Sequence, residues 1–159
     1  MSLTLTSPAF APGDEIPVRF TCEGDDVAPA LAWSGLPAGT ASLVLIFEDP
    51  DDTPTTWVHW VLYNLPASVA GLAEGITPST LPPGTLQGKN DWKQTGFRGS
   101  CPPTGRHRYF FKLYALDAVL PDLGEPTKAD LEAAMDGHVL ARTELMGTYE
   151  KKSVRGGAV

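Results

Sequence analysis

Residues 42–64 read SLVLIFEDPDDTPTTWVHWVLYN, and the way this stretch breaks up sets the fold class. SLVLIFE, at 42–48, is a nearly continuous apolar run of strand length, the pattern of a strand in a sheet interior. EDPDDTP, Glu48 to Pro54, then places four carboxylates and two prolines in seven residues, which ends the strand and stiffens a loop. Trp57 to Asn64, WVHWVLYN, resumes as a strand rich in aromatic and β-branched residues. Alternation of period two predicts Trp57, His59, Val61 and Tyr63 on one face of it.

Outward from this core the same grammar recurs. Arg106 to Leu116, RHRYFFKLYAL, is a long aromatic strand with His107, Tyr109, Phe111 and Leu113 on a common face. Leu3 and Leu5 alternate with Thr4 and Thr6 as in a half-buried strand. Fifteen prolines and sixteen glycines cut the chain into segments too short for a helix bundle. One helix stands out, over about 127–141: Thr127 and Asp130 fit a capping box, and Leu131, Ala134, Met135 and His138 share a stripe. A short helical turn is expected near Ser68 to Ala73, and Gly84 to Gly88 reads as an ordinary loop. The fold class is therefore mainly β, a sandwich of antiparallel sheets with one late helix. Residues 1–150 form a single domain, and the polar stretch 151–159, KKSVRGGAV, is expected to be a flexible tail.

Composition excludes several functions. The chain has 159 residues, 42% of them apolar, which suits one domain with its own core. Nineteen acidic against twelve basic residues give a net charge of -7, so nucleic acid is not an expected partner. No run of eighteen apolar residues and no basic, apolar leader occurs, so no stable membrane insertion and a cytoplasmic location are expected. Cys22 and Cys101 are the two thiols. In a reducing cytoplasm free buried cysteines are the commoner state, with a bridge as the alternative. Neither a GxGxxG nor a GxxxxGK[ST] sequence is present, so no nucleotide cradle and no cofactor are expected.

The chemistry-bearing residues cluster at strand ends. His59 follows Asp49 by ten residues, so a loop that folds back brings the two together, and His107 starts the aromatic strand after CPPTG. A single aspartate here reads as a turn cap and a single histidine as a structural group, but three together read as a site. An imidazole can donate to an oxyanion while a carboxylate behind it fixes the tautomer and favours the protonated ring. The same trio also suits a metal.

The order EDPDDTP, WVHW and CPPTGRHRYFFKLYAL resembles the phosphatidylethanolamine-binding protein family, in its bacterial Raf-kinase-inhibitor-like branch. The resemblance extends to TCEGDDVAPALAWSGLP at 21–37, to WVLYNLP at 60–66 and to LARTELMGTYEK after the helix. It implies a Greek-key β-fold with a conical pocket for phosphate, acetate or a phospholipid head group, built around Asp49, His59 and His107. It further implies a wall of Trp57, Pro102 and Tyr109, Asp51 near the mouth, and a backbone amide at Cys101 facing the anion. A homodimer, and a protein partner such as a kinase, belong to the same implication. DPDDTP and the short CPPTGRH loop depart from the family's familiar forms at the rim, so a head-group preference does not carry over.

Two functions compete on this reading. One is a binding module for a small anionic ligand; the other is a hydrolase or metal-dependent enzyme using the Asp/His/His pocket. GxSxG, HExxH and clustered HxH motifs are missing, and Cys101 is the single candidate nucleophile, so binding without metal is the expectation.

Overall fold

The computed structural model describes residues 2–152 and consists of eight strands, one α-helix and two 3-10 turns among them. The strands are β1 (Thr4–Thr6), β2 (Leu31–Ser34), β3 (Ser42–Asp49), β4 (Trp57–Pro66), β5 (Gly71–Leu72), β6 (Leu86–Gln87), β7 (His107–Leu116) and β8 (Val139–Tyr149). They form two antiparallel sheets, β1-β2-β5 and β6-β4-β3-β7-β8. The central position of β3 accounts for its composition, since every residue from Ser42 to Asp49 is buried. One face of the larger sheet packs on the smaller sheet through Leu43, Leu45, Phe47, Trp60, Phe111 and Leu113. Its other face, with Val44, Ile46, Val61 and Tyr63, is covered by Leu131 and Met135 of the helix. Apolar area is thus buried on both sides of β3, the main source of stability in such a layer.

The helix, α1 (Lys128–Met135), starts where the capping box places it: Thr127 Oγ1 accepts from the Asp130 N–H at 3.2 Å. It stops earlier than the expected 141. Gly137 adopts φ +81°, a left-handed conformation that ends the helix, and Val139 onward pairs with β7 instead. His138 therefore leaves the helical stripe, and its Nδ1 meets Asp117 Oδ1 at 2.8 Å.

Other expectations also need correction. Ser68 to Ala73 does not form a helical turn; Gly71–Leu72 pairs with β2, and the 3-10 turns fall at Val18–Phe20 and Pro78–Thr80. Within Gly84 to Gly88, Leu86–Gln87 adds a short edge strand to β4. Cys22 and Cys101 are not free but form a disulfide across a sequence separation of 79. The parallel bridge between Thr21 and Ser100 brings their backbones alongside each other, so the thiols meet. The expected flexibility of the tail concerns residues 153–159, which lie outside the described residues.

Two irregularities in the β3–β4 pairing shape the interior. Leu43 faces Leu65 and Leu45 faces Leu62, so β4 carries an extra residue there. Asn64 takes φ 56° in this bulge, and its amide bonds both the N–H and the carbonyl of Leu120. Further along, Phe47 faces Trp60 while Glu48 faces Val58, which leaves His59 as a second extra residue. His59 and Trp60 consequently both pack toward Phe47 and the inter-sheet core, while Val61 and Tyr63 face the helix. The expected common face of Trp57, His59, Val61 and Tyr63 is broken by this bulge.

Candidate functional site

Asp49 ends β3, Trp57 starts β4 opposite it, and His107 starts β7, which runs antiparallel to β3. Three chain ends thus converge at one end of the large sheet. A cavity of about 250 Å³ opens there. Asp49, Trp57, His59, Cys101 and Tyr109 line it, as the sequence leads one to expect. Asp52, Trp92 and Pro103 also line it and were missed. Pro102 is buried, its neighbour Pro103 taking the lining position. The acidic loop announced that some aspartate would face inward but not which, while Trp92, a tryptophan in the polar stretch KNDWKQTG, was a usable signal.

Asp49 is the hub. Its side chain is 4% exposed. Oδ1 accepts the Asp51 N–H at 2.9 Å, and Oδ2 lies 2.6 Å from His107 Nδ1. A ring nitrogen facing a carboxylate carries the hydrogen, which leaves Nε2 of His107 as its remaining polar atom. Asp51 turns away from this hub to Arg108, which donates to it from the backbone N–H and from the guanidinium at 2.8–3.0 Å. The Arg108 side chain holds the Asp51 carboxyl down at about 2.

His59 is not bonded to Asp49. Its Nδ1 donates to the Arg98 carbonyl at 2.9 Å, and its ring sits among Phe47, Trp92 and Tyr109. Burial pushes its pKa below the ordinary histidine value, outweighing the Arg98 carbonyl and the Asp49 charge, so the neutral ring is favoured. The sequence expectation of charged imidazoles at the site runs the other way for this residue. Tyr109 is fully buried, and its hydroxyl sits beside the Cys101 backbone amide and the Asp49 carboxylate without a hydrogen bond of good geometry among the described residues. Burial first, then the Asp49 charge, raises its pKa, so the phenol stays protonated.

The wall opposite is stapled in place. Cys101 is tied to Cys22, and Gly99 N–H bonds Asp26 Oδ1 at 2.9 Å. A Cβ at Gly99 would lie 2.2 Å from the Phe20 carbonyl oxygen, so only glycine admits this approach. A larger hollow, about 490 Å³, lies on the sheet face at β7 and β8, lined by Lys112, Tyr114, Arg142, Thr143 and Glu144. Lys112 is already matched there by Glu48 at 2.9 Å, so that hollow lacks the convergent buried groups found at Asp49.

The fold and site together define a two-sheet antiparallel β-domain with a small polar-floored pocket at one sheet end. The chain belongs to the phosphatidylethanolamine-binding protein family, whose model matches residues 6–150. A UPF0098 protein of Methanothermobacter thermautotrophicus is 45% identical over 150 residues, covering 94% of this chain and 99% of its own. The crystal structure of a phosphatidylethanolamine-binding protein homolog from Chlamydia trachomatis matches with TM-score 0.89 and 45% identity, covering 95% of this chain and 99% of that one. That of Escherichia coli YbcL, described as a new member of the mammalian family, matches with TM-score 0.88 and 32% identity over 96% and 100% of the two chains. No helix among the described residues is long and apolar enough to cross a membrane, which says nothing of a β-barrel.

Proposed function

We propose that this protein binds a small anionic ligand, phosphate or a phosphorylated head group, in the Asp49 pocket. The observation that carries the reading is Tyr109: its wholly buried, protonated hydroxyl lines the cavity beside the Cys101 backbone amide and the Asp49 carboxylate, held by neither in good hydrogen-bond geometry, and can turn its hydrogen to an incoming acceptor. His107 is not itself among the lining residues, but, bonded to Asp49 and stacked beside Tyr109, it offers a second polar atom next to them, and Trp57 and Trp92 supply flat apolar walls. A volume of about 250 Å³ suits a head group rather than a whole lipid. A ligand that binds only the folded state raises the melting temperature by mass action. Phosphate and phosphoethanolamine should therefore raise it at millimolar concentration, and Tyr109→Phe should remove most of that rise. No shift with either compound would sink the reading.

We propose binding rather than catalysis because Cys101, the candidate nucleophile, is held in a disulfide and cannot act as a thiolate. The family resemblance also implies a homodimer, and we propose β8 as its surface. That strand ends its sheet, and although residues 13–16 bond its second half at Met146 and Thr148, Val139 and Leu140 at its start are 43% and 42% exposed. Light scattering of Leu140→Asp against the parent chain tests this.

A further inference from the structure

We infer that Cys22 is a site of thiol–disulfide exchange, and that opening its bridge to Cys101 loosens the pocket wall and weakens ligand binding. Cys22 is exposed, on the turn that follows the 3-10 turn Val18–Phe20, whereas Cys101 is half-buried and lines the pocket. The bridge thus joins a residue open to solvent to a residue of the cavity wall. Exchange begins with attack of a thiolate on a disulfide sulfur it can reach, and exposed bridges are the ones that undergo it.

The two sides of the bond are held very differently. On the Cys22 side, the Gly24 N–H donates to the Thr21 carbonyl and the Asp26 N–H to the Arg19 carbonyl, each at 3.0 Å. Glu23 Oε1 accepts from the Tyr149 hydroxyl and from the Lys152 N–H, which anchors the same turn to the end of β8. On the Cys101 side, residues 101–106 form no helix, strand or hydrogen-bonded turn, and Pro102 and Pro103 have no N–H to give. That stretch is held at its near end by the Cys22 N–H on the Ser100 carbonyl at 3.2 Å, and at its far end by Arg106 on Thr148 Oγ1 at 3.1 Å. Cys101 and Pro103, which line the cavity, lie between. Opening the bridge therefore frees the pocket side and leaves the Cys22 turn in place.

The co-reactant is a dithiol. One of its thiolates attacks Cys22 Sγ, the S–S bond breaks, and Cys101 leaves as a thiolate that picks up a proton. The second thiol then attacks the mixed disulfide and releases Cys22, so that two electrons and two protons pass to the bridge and the dithiol becomes a disulfide. That opening weakens the pocket rests on the function proposed above; that Cys22 exchanges does not. Reciprocity then requires that a bound ligand favour the closed bridge.

The test treats the folded, oxidised full chain with 2-mercaptoethanol or with dithiothreitol, quenches it with iodoacetamide and locates the labels by peptide mass spectrometry. With the monothiol, the mixed disulfide is expected on Cys22 and the alkyl label on Cys101. With the dithiol, cleavage is expected at a rate that does not change with urea below the unfolding transition, and with the far-UV circular dichroism retained. A rate that climbs with urea shows that the bridge opens only on unfolding and overturns the site, as does a mixed disulfide confined to Cys101. Loss of the far-UV signal on reduction makes the bridge a structural staple and overturns the switch. Phosphoethanolamine is then titrated calorimetrically into the oxidised chain, the reduced chain and Cys22→Ser. Binding about tenfold weaker is expected in the last two, and saturating phosphoethanolamine should shift the equilibrium with dithiothreitol toward the bridge by the same factor. Equal affinity in all three overturns the coupling. Exchange at Cys22 with no binding to any of them leaves the exchange site standing and sinks the proposed function.

Discussion

Asp49 and His107 stand 58 residues apart in the chain, yet Asp49 Oδ2, which lines the pocket, and His107 Nδ1 behind it lie 2.6 Å apart. The contact exists because β3 ends where the antiparallel β7 begins. Asp49→Asn should cost about 1.5–3 kcal/mol of stability, the range for a hydrogen bond to a charged group. It should also abolish the melting shift given by phosphoethanolamine, because the His107 ring loses its fixed tautomer. Differential scanning fluorimetry with and without ligand measures both effects. A variant with unchanged ligand response would separate Asp49 from the site.

The Cys22–Cys101 bridge closes a long loop, with a sequence separation of 79. In the chain-entropy account such a loop contributes about 4.5 kcal/mol, roughly 13 °C of melting temperature at this chain length. Reduction, or Cys22→Ser, should lower the midpoint accordingly and loosen the wall carrying Cys101. A thiol assay on denatured, unreduced protein should find no free thiol; two would refute the bridge.

Glu48 is 2% exposed and lies between Lys112 and Lys128 on the helix-facing side of the large sheet. Burial works to raise its pKa, but the hydrogen bonds and charges of Lys128 and then Lys112 outweigh it and hold the carboxyl below its usual value. Glu48→Ala should cost about 3 kcal/mol, at the low end for breaking a buried pair because both lysines keep some solvent. A carboxyl lowered in the folded state stabilises the fold above its unfolded pKa and loses that contribution as pH falls through the folded value. Urea midpoints of parent and variant should therefore converge at pH below about 4. Parallel curves over the whole acid range would count against the pairing.

His59 gives the opposite kind of acid sensitivity. Burial lowers its pKa, so between the folded value and the unfolded value of about 6.5 the unfolded chain binds more protons. Stability attached to the neutral ring is complete above about pH 6.5 and falls as the pH drops below it. His59→Gln should start less stable, by losing packing against Phe47 and Trp92, but show a shallower loss between pH 7 and 5. Proton NMR of the ring should show His59 still neutral at pH 6. A ring titrating at the ordinary histidine value would refute this.

The close approach of Gly99 to the Phe20 carbonyl also sets the wall that carries His59's acceptor. Gly99→Ala should displace the Arg98 carbonyl, destabilise the fold by about 1–3 kcal/mol through overpacking, and weaken ligand binding together with it. Chemical denaturation and the ligand-induced melting shift read the two effects separately.

What the sequence alone determined were the features that short-range chemistry writes into a chain. The continuous apolar run Ser42 to Glu48 already implied a strand covered on both faces, because no water-facing residue interrupts it. The Thr127 and Asp130 capping box placed the start of α1, since both partners lie within one turn. The acidic loop after Glu48 and the histidine at the head of the aromatic strand marked Asp49 and His107, because polar groups at the ends of buried strands need partners. Tertiary structure alone decided the rest. The bulge that turns His59 toward Phe47 depends on how β4 registers against β3, and no local pattern in WVHWVLYN records that register. The pairing of Cys22 with Cys101, the inward turn of Asp52 rather than Asp51, and the end of α1 at Gly137 followed by β8 are likewise set by which distant segment lies alongside. Contacts between residues far apart in sequence carry these choices, and a residue's own neighbours in the chain have almost the same local preferences under either outcome.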